Sequence, residues 1–119
     1  LYGHQQEGAY ADALCRSDVV VSSSHHDFFG LAVTEAIAAG ARPVLPNRLA
    51  YPEIVPESLH STLLYEADLL EALRSVLSNS RQALHQYRSA TMTHVANFEW
   101  SKLAPKYDAL VDDMIASRQ

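Results

Sequence analysis

Two acidic residues flank the start of an apolar segment, with Asp27 before it and Glu35 eight positions further on. The segment from Gly30 to Ala39 is rich in alanine and other apolar residues, which predicts a helix whose only ionisable side chain is Glu35. A carboxylate accepts hydrogen bonds from sugar hydroxyls, whereas the free N–H groups of a helix start favour a phosphate. Together they predict a ligand that carries both groups, a sugar nucleotide, with its phosphates at the amides of Phe29, Gly30 and Leu31.

The same residues also have purely structural explanations, which the local sequence leaves open. Asp27 is a good helix cap, and Glu35 would complement the dipole near the helix start. His25 and His26 suggest a metal pair, but adjacent side chains diverge and no further ligand has suitable spacing, so no metal or other cofactor is expected. Ser24 beside them does not complete a hydrolase triad, because triad members meet through the fold and the G-x-S-x-G motif is absent.

A strand, helix and second strand must position these residues. The β-branched run within Ser17–Ser24 predicts a fully buried strand, Gly40 ends the helix, and Arg42–Pro46 predicts a second strand bounded by prolines. Strands joined through a helix run parallel, and ligands bind beyond the carboxyl ends of such strands. The segments at those ends are residues 3–7, 22–29 and 47–53.

The rest of the chain extends this pattern into an α/β fold, a Rossmann-like parallel sheet with flanking helices. The other predicted elements are a strand tail at 1–3, helices over 6–16, 67–77 and 79–96, a strand over 61–65, and a last helix capped by Ser101. The last helix has an apolar stripe, predicted to be core, that comprises Leu103, Tyr107, Leu110, Val111 and Met114.

The composition fits one globular domain that is a piece of a larger protein. The 119 residues are 48% hydrophobic and 19% charged, with 9 Lys+Arg against 14 Asp+Glu, so no basic stripe indicates nucleic acid. The longest apolar stretch, 30–40, is too short to span a membrane. Cys15, the only cysteine, excludes an internal disulfide and fits a reducing, cytoplasmic compartment; it is expected in the core. The chain begins within an apparent strand and without Met, so a truncation on the N-terminal side is expected.

Several runs together resemble the donor-binding half of the retaining family-4 glycosyltransferases, which have the GT-B fold. The ending Phe98–Trp100, followed by a helix that contains Tyr107, is also similar. More narrowly, His25–Gly30 together with Ala50–Ile54 resembles the tRNA-queuosine mannosyltransferase branch. The runs that carry the wider resemblance are Asp18–Ser22, Asp27–Leu31, Glu35–Ala36, Ala39–Gly40 and Pro43–Val44.

The resemblance implies a role for each matching residue. Asp27 would be the catalytic acid that contacts hydroxyls of the donor sugar, and Glu35 would bind the ribose. Glu53 would lie near the sugar or the acceptor, and Gly3 and His4 would line the base pocket. The amides that would hold the diphosphate are those of Phe29, Gly30 and Leu31.

The resemblance also implies partners that this chain does not contain. The full enzyme would move a hexose from a nucleoside-diphosphate sugar to an acceptor, with GDP-mannose and queuosine in tRNA as the specific expectation. The acceptor-binding N-terminal domain and the basic residues that neutralise the diphosphate would precede Leu1, so this chain alone should not turn over. No metal and no membrane are expected.

Two departures from the family pattern concern the site. Asp27 stands where the family usually has Glu, and Leu49–Pro52 replaces a common glycine pair.

Other functions remain open, namely a sugar-nucleotide epimerase, another GT-B enzyme, or a non-catalytic Rossmann-like nucleotide-binding module. A nicotinamide-binding domain is disfavoured because the chain has no G-x-G-x-x-G motif.

Overall fold

The computed structural model of this protein describes residues 3–117, which alternate between short strands and helices. Two short 3-10 turns, Glu57–Leu59 and Ala96–Phe98, precede the helices that begin at His60 and Trp100. The elements are α1 (Glu7–Cys15), β1 (Val19–Val21), α2 (Leu31–Ala38), β2 (Arg42–Pro46), α3 (Tyr51–Ile54), α4 (His60–Leu63), β3 (Leu64–Tyr65), α5 (Leu69–Leu77), α6 (Arg81–Leu84), α7 (Arg88–Val95) and α8 (Trp100–Ala116).

The three strands form one parallel sheet in the order β1-β2-β3. Val19 is paired with Arg42, and Leu45 is paired with Leu64. The predicted α/β class with a parallel, Rossmann-like sheet and flanking helices is therefore confirmed. The strand tail predicted at 1–3 falls largely on residues outside the described part of the chain.

The core lies where α2 and α3 cover β2. Ile37, Leu45 and Ile54 have no exposed surface, and Tyr51 is 1% exposed. Only one face of α2 is buried, however, and Leu31 and Glu35 on the other face are exposed. Helix α2 therefore packs with one face against its neighbours and leaves the other face exposed.

Several predicted elements have different bounds in the structure. The first strand is only Val19–Val21, and it is half-buried, with Val21 43% exposed, because β1 has a neighbour on one side only in the described sheet. Residues 61–63 are helical, not part of a strand, and the helix predicted over 79–96 is interrupted at 85–87. Helix α3 lies in a segment predicted to be a loop.

The prediction of a buried stripe on the last helix is wrong. Leu110, Val111 and Met114 are each more than half exposed, and the helix begins at Trp100, so Ser101 is not its cap. Periodicity shows that a helix has an apolar face, but it does not show what covers that face. Cys15 is likewise exposed and not in the core.

An ion pair connects the start of the sheet to α6. Asp18 accepts hydrogen bonds from Arg81 Nε at 3.0 Å and from the His85 ring at 2.8 Å. The Arg81 guanidinium, and next the His85 ring, hold the pKa of Asp18 below its ordinary value of 3.8. The carboxylate thus stabilises the folded state above that value, and this contribution is lost as the pH falls through the folded-state pKa.

We therefore expect Asp18→Asn to lower the thermal unfolding midpoint at pH 7. The difference between the variant and the wild type should begin to shrink as the pH falls below the ordinary pKa of 3.8, and it should vanish only once the pH has passed the lower pKa of the folded state. Unfolding followed by circular dichroism from pH 7 to pH 3 measures this. Asp108→Asn on the exposed surface of α8 is the control and should not change the midpoint.

Candidate functional site

Asp27 lies in the loop between β1 and α2 and accepts a hydrogen bond at each carboxylate oxygen. The Gly30 N–H donates to Oδ1 at 2.9 Å, and the Tyr51 hydroxyl donates to Oδ2 at 3.0 Å. The Gly30 amide, followed by the Tyr51 hydroxyl, lowers the pKa of Asp27 from its ordinary value, so the carboxylate is charged at neutral pH. Asp27 is not the helix cap that the local sequence left open, since the N-cap of α2 is Gly30, without a side-chain cap hydrogen bond. Its side chain instead shapes the loop before α2.

Tyr51 is the buried residue that connects this loop to the next one. Its hydroxyl lies 2.7 Å from Ser22 Oγ. Because the phenol has one proton, which it donates to Asp27, the Ser22 hydroxyl is the donor in the second bond. Burial raises the pKa of Tyr51, which keeps the hydroxyl protonated. Tyr51 was not predicted as a site residue, because residue 51 falls in a segment predicted to be a loop. The apolar spacing of Tyr51, Ile54 and Val55 was the available signal.

The loops after β1 and β2 lie against each other, as their positions at one edge of a parallel sheet require. Besides the bond between Tyr51 and Asp27, Arg48 donates from Nε and Nη2 to the Ser24 carbonyl oxygen at 3.2 Å. The hydrogen bonds of Tyr51 and Arg48 therefore hold the segments after β1 and β2 together at the carboxyl ends of the strands.

Gly30 is required by packing and backbone conformation. Its φ is +72°, and an added Cβ would lie 3.0 Å from Tyr51 Cε1 and 3.1 Å from Ile54 Cδ1. The absence of a side chain thus allows α2 to approach α3. The first intrahelical hydrogen bond is from Thr34 N to the Gly30 carbonyl, so the amides at 31–33 remain without intrahelical acceptors.

Glu35 is exposed and borders an open cavity of about 370 Å³. One wall is formed by α2 and the other by α7 and the segment after it. Phe29 and Phe98 pack edge to face, with ring centroids 5.4 Å apart. Three predicted donor-binding residues, Phe29, Leu31 and Glu35, therefore lie at the same cavity, together with Thr34, Ala38, Met92, Val95, Ala96, Phe98 and Glu99.

Gly3 and His4 border a second cavity, of about 550 Å³, whose other lining residues include Tyr10. The Tyr10 hydroxyl donates to Glu35 Oε2 at 2.6 Å. Tyr10, which was not predicted as a site residue, therefore borders the same cavity as Gly3 and His4 and also binds Glu35, the acid predicted to bind the ribose.

The remaining candidates lie apart from these two cavities. Glu53 is exposed on α3, where its backbone carbonyl accepts a hydrogen bond from the His94 ring at 2.8 Å. His25 and His26 are exposed. Within residues 3–117, no three His, Cys, Asp or Glu side chains are grouped so that they could hold a metal ion. No helix in the same range is long and apolar enough to cross a membrane.

Asp27 and the free amides of α2 thus lie beyond the carboxyl ends of parallel strands, where open α/β folds bind their ligands. The chain belongs to the glycosyl transferases group 1 family, whose family model matches residues 1–92. The resemblance inferred from Asp18–Val44 is therefore confirmed at the level of the family.

The most informative relatives are glycosyltransferases from three organisms. The chain is 33% identical to the tRNA-queuosine alpha-mannosyltransferase of Drosophila melanogaster, over 99% of this chain and 31% of that protein. It is 30% identical to the GDP-mannose:cellobiosyl-diphosphopolyprenol alpha-mannosyltransferase of Xanthomonas campestris, over 73% of this chain and 24% of that protein. It is 31% identical to a glycogen synthase of Mycobacterium tuberculosis, over 86% of this chain and 25% of that protein.

The chain thus spans less than a third of the length of each of these relatives. No solved structure matches it closely enough to establish a similarity.

Proposed function

We propose that this chain is the donor-binding part of a retaining glycosyltransferase that moves a hexose from a nucleoside-diphosphate sugar to an acceptor. One observation carries the proposal: Glu35 borders a cavity, and it lies on α2, the helix whose first amides, at 31–33, have no intrahelical acceptor. A carboxylate can accept hydrogen bonds from sugar hydroxyls, and free amides can donate to phosphates. The two groups side by side therefore match the two halves of such a donor.

In this proposal Glu35 binds the ribose and the first amides of α2 hold the diphosphate. The Leu31 amide remains a candidate, whereas the Gly30 amide donates to Asp27 and the Phe29 amide also interacts with that carboxylate in this structure. Asp27, charged and half-buried at the carboxyl end of β1, orients the sugar, and Glu53 serves the sugar or acceptor side. Charge that grows on the leaving diphosphate is stabilised by aligned amides and the helix dipole, without a metal.

We further propose GDP-mannose as the donor and queuosine in tRNA as the acceptor. The support is the 33% identity to a tRNA-queuosine alpha-mannosyltransferase and the 30% identity to an enzyme named for GDP-mannose. Acceptor binding is assigned to an N-terminal domain outside this chain. The single cysteine fits a cytoplasmic enzyme.

Glu35→Ala in the full-length protein should weaken binding of GDP by about 1–3 kcal/mol, because a charged acceptor of the ribose hydroxyls is lost. Calorimetric titration of GDP, UDP and ADP, with and without the sugar, measures the affinity and identifies the base.

Since Glu35 is exposed, the variant should unfold at the wild-type temperature. Glu71→Gln, an exposed acid on α5 away from both cavities, is the matched control. Unchanged affinity in Glu35→Ala for all three nucleotides would refute the ribose role.

A further inference from the structure

We propose that Tyr10 is a positioning residue that orients the Glu35 carboxylate toward the ribose of the donor, an inference that rests on the donor-binding function proposed above. The two residues lie 25 positions apart, Tyr10 on α1 and Glu35 on α2. Their hydroxyl-to-carboxylate distance of 2.6 Å is that of a strong charge-assisted hydrogen bond.

The bond occupies one oxygen of the carboxylate. Tyr10 donates to Oε2, and within the described part of the chain Oε1 has no hydrogen-bond partner. An unrestrained glutamate on an exposed helix face samples several rotamers, and ordering it costs free energy when a ligand binds. Tyr10 restricts that freedom in advance and leaves Oε1 available to accept from a ribose hydroxyl.

The environment favours this role over a contribution to stability. Tyr10 is 37% exposed, Glu35 is exposed, and α1 has no fully buried residue. A hydrogen bond between two solvated groups adds little to folding, because both partners bond equally well to water. Its principal consequence is therefore geometric, since it restricts where the carboxylate points.

The position of the bond fits a nucleoside. The Tyr10 ring borders the cavity formed with residues 3–7, whereas Glu35 borders the cavity formed with Phe29 and Leu31. The hydrogen bond therefore joins a residue of one cavity to a residue of the other. A nucleotide with its base beside Tyr10 and its diphosphate at the start of α2 would have its ribose at Glu35.

The charge states keep the direction of the bond constant. The hydrogen bond to Glu35 is the largest cause that raises the pKa of Tyr10 above its ordinary value of 10.0. The phenol is therefore protonated at neutral pH and acts as the donor, and the carboxylate acts as the acceptor.

Tyr10→Phe in the full-length protein tests the proposal, since phenylalanine keeps the ring and removes only the hydroxyl. Two probes are titrated, GDP and its 2′,3′-dideoxy analogue, or the matching pair for UDP or ADP if that nucleotide binds more tightly. We expect Tyr10→Phe to bind the ribose nucleotide about three- to tenfold more weakly, which is the effect of one ordinary hydrogen bond. Affinity for the dideoxy analogue should not change.

The double variant Tyr10→Phe/Glu35→Ala should bind no more weakly than Glu35→Ala alone, because Tyr10 acts only through Glu35. Tyr107→Phe, which removes an exposed phenol hydroxyl from α8, is the control and should bind both probes like the wild type.

The possible results separate this inference from the proposed function. If Glu35→Ala weakens GDP binding and Tyr10→Phe does not, the positioning role is overturned while the ribose role of Glu35 stands. Equal losses for the ribose and dideoxy nucleotides would overturn the inference too, because Tyr10 would then act through the fold or the base. If Glu35→Ala itself has no effect on any nucleotide, the proposed function fails.

Discussion

Gly30→Ala is expected to lower the free energy of unfolding by about 2–5 kcal/mol, because it combines backbone strain at a positive φ with overpacking of the core. The φ of +72° disfavours any residue with a Cβ. That Cβ would also press on Tyr51 and Ile54, which are 1% and 0% exposed and have little room to move. The loss would be a large part of the 5–15 kcal/mol that holds a typical domain folded.

Urea unfolding of the two proteins measures this difference. Gly8→Ala is the matched control, because Gly8 lies inside α1 and an added Cβ would have no atom within 4 Å. This control should be neutral or stabilising by up to about 1 kcal/mol, since alanine is the better helix former. Equal stability of the Gly30 and Gly8 variants would contradict the packing of α2 on α3 described above.

Asp27→Asn in the full-length enzyme is expected to lower turnover by about tenfold to a hundredfold, because the sugar loses a charged group that orients it. Binding of the nucleoside diphosphate without its sugar should change much less. Asparagine retains an oxygen that can accept the Gly30 N–H, and its amide can donate to Tyr51. The substitution therefore removes the charge while preserving the shape of the loop.

Initial rates with the sugar nucleotide, together with calorimetry of the bare nucleotide, separate these effects. Tyr51→Phe is the companion variant, because it removes the partner of Oδ2 and leaves the Asp27 charge in place. It should retain more activity than Asp27→Asn. A parallel loss of turnover and nucleotide affinity in Asp27→Asn would show that Asp27 acts only as the acceptor that shapes the loop.

Local patterns predicted the part of the fold that contains the site. The β-branched run before residue 22 and the alanine-rich segment after Gly30 led to the strand, helix and strand that the structure contains, although the first strand is shorter. Glu35 was selected as the only ionisable side chain on an apolar helix, and it borders a cavity in the structure. These features depend on residues close together in the chain.

The contacts around the two acids were not predictable in the same way. Tyr51 reaches Asp27 across 24 positions, and Tyr10 reaches Glu35 across 25. Nothing in the sequence near Tyr10 indicates a hydrogen bond to α2, and helix α3, which places Tyr51, is only four residues long. Such partners depend on how the elements pack.

The sequence by itself determined the order of the elements around 17–46, the family and the acids that define its candidate site, because periodicity, turn residues and motif spacing are local properties. Only the tertiary structure decided that Gly30 is needed for packing, that Asp27 shapes the loop beside α3, and that Tyr10 binds Glu35. It also showed the stripe of α8 to be exposed. The physical reason is that burial and hydrogen-bond partners are set by distances in space, which separation along the chain does not specify.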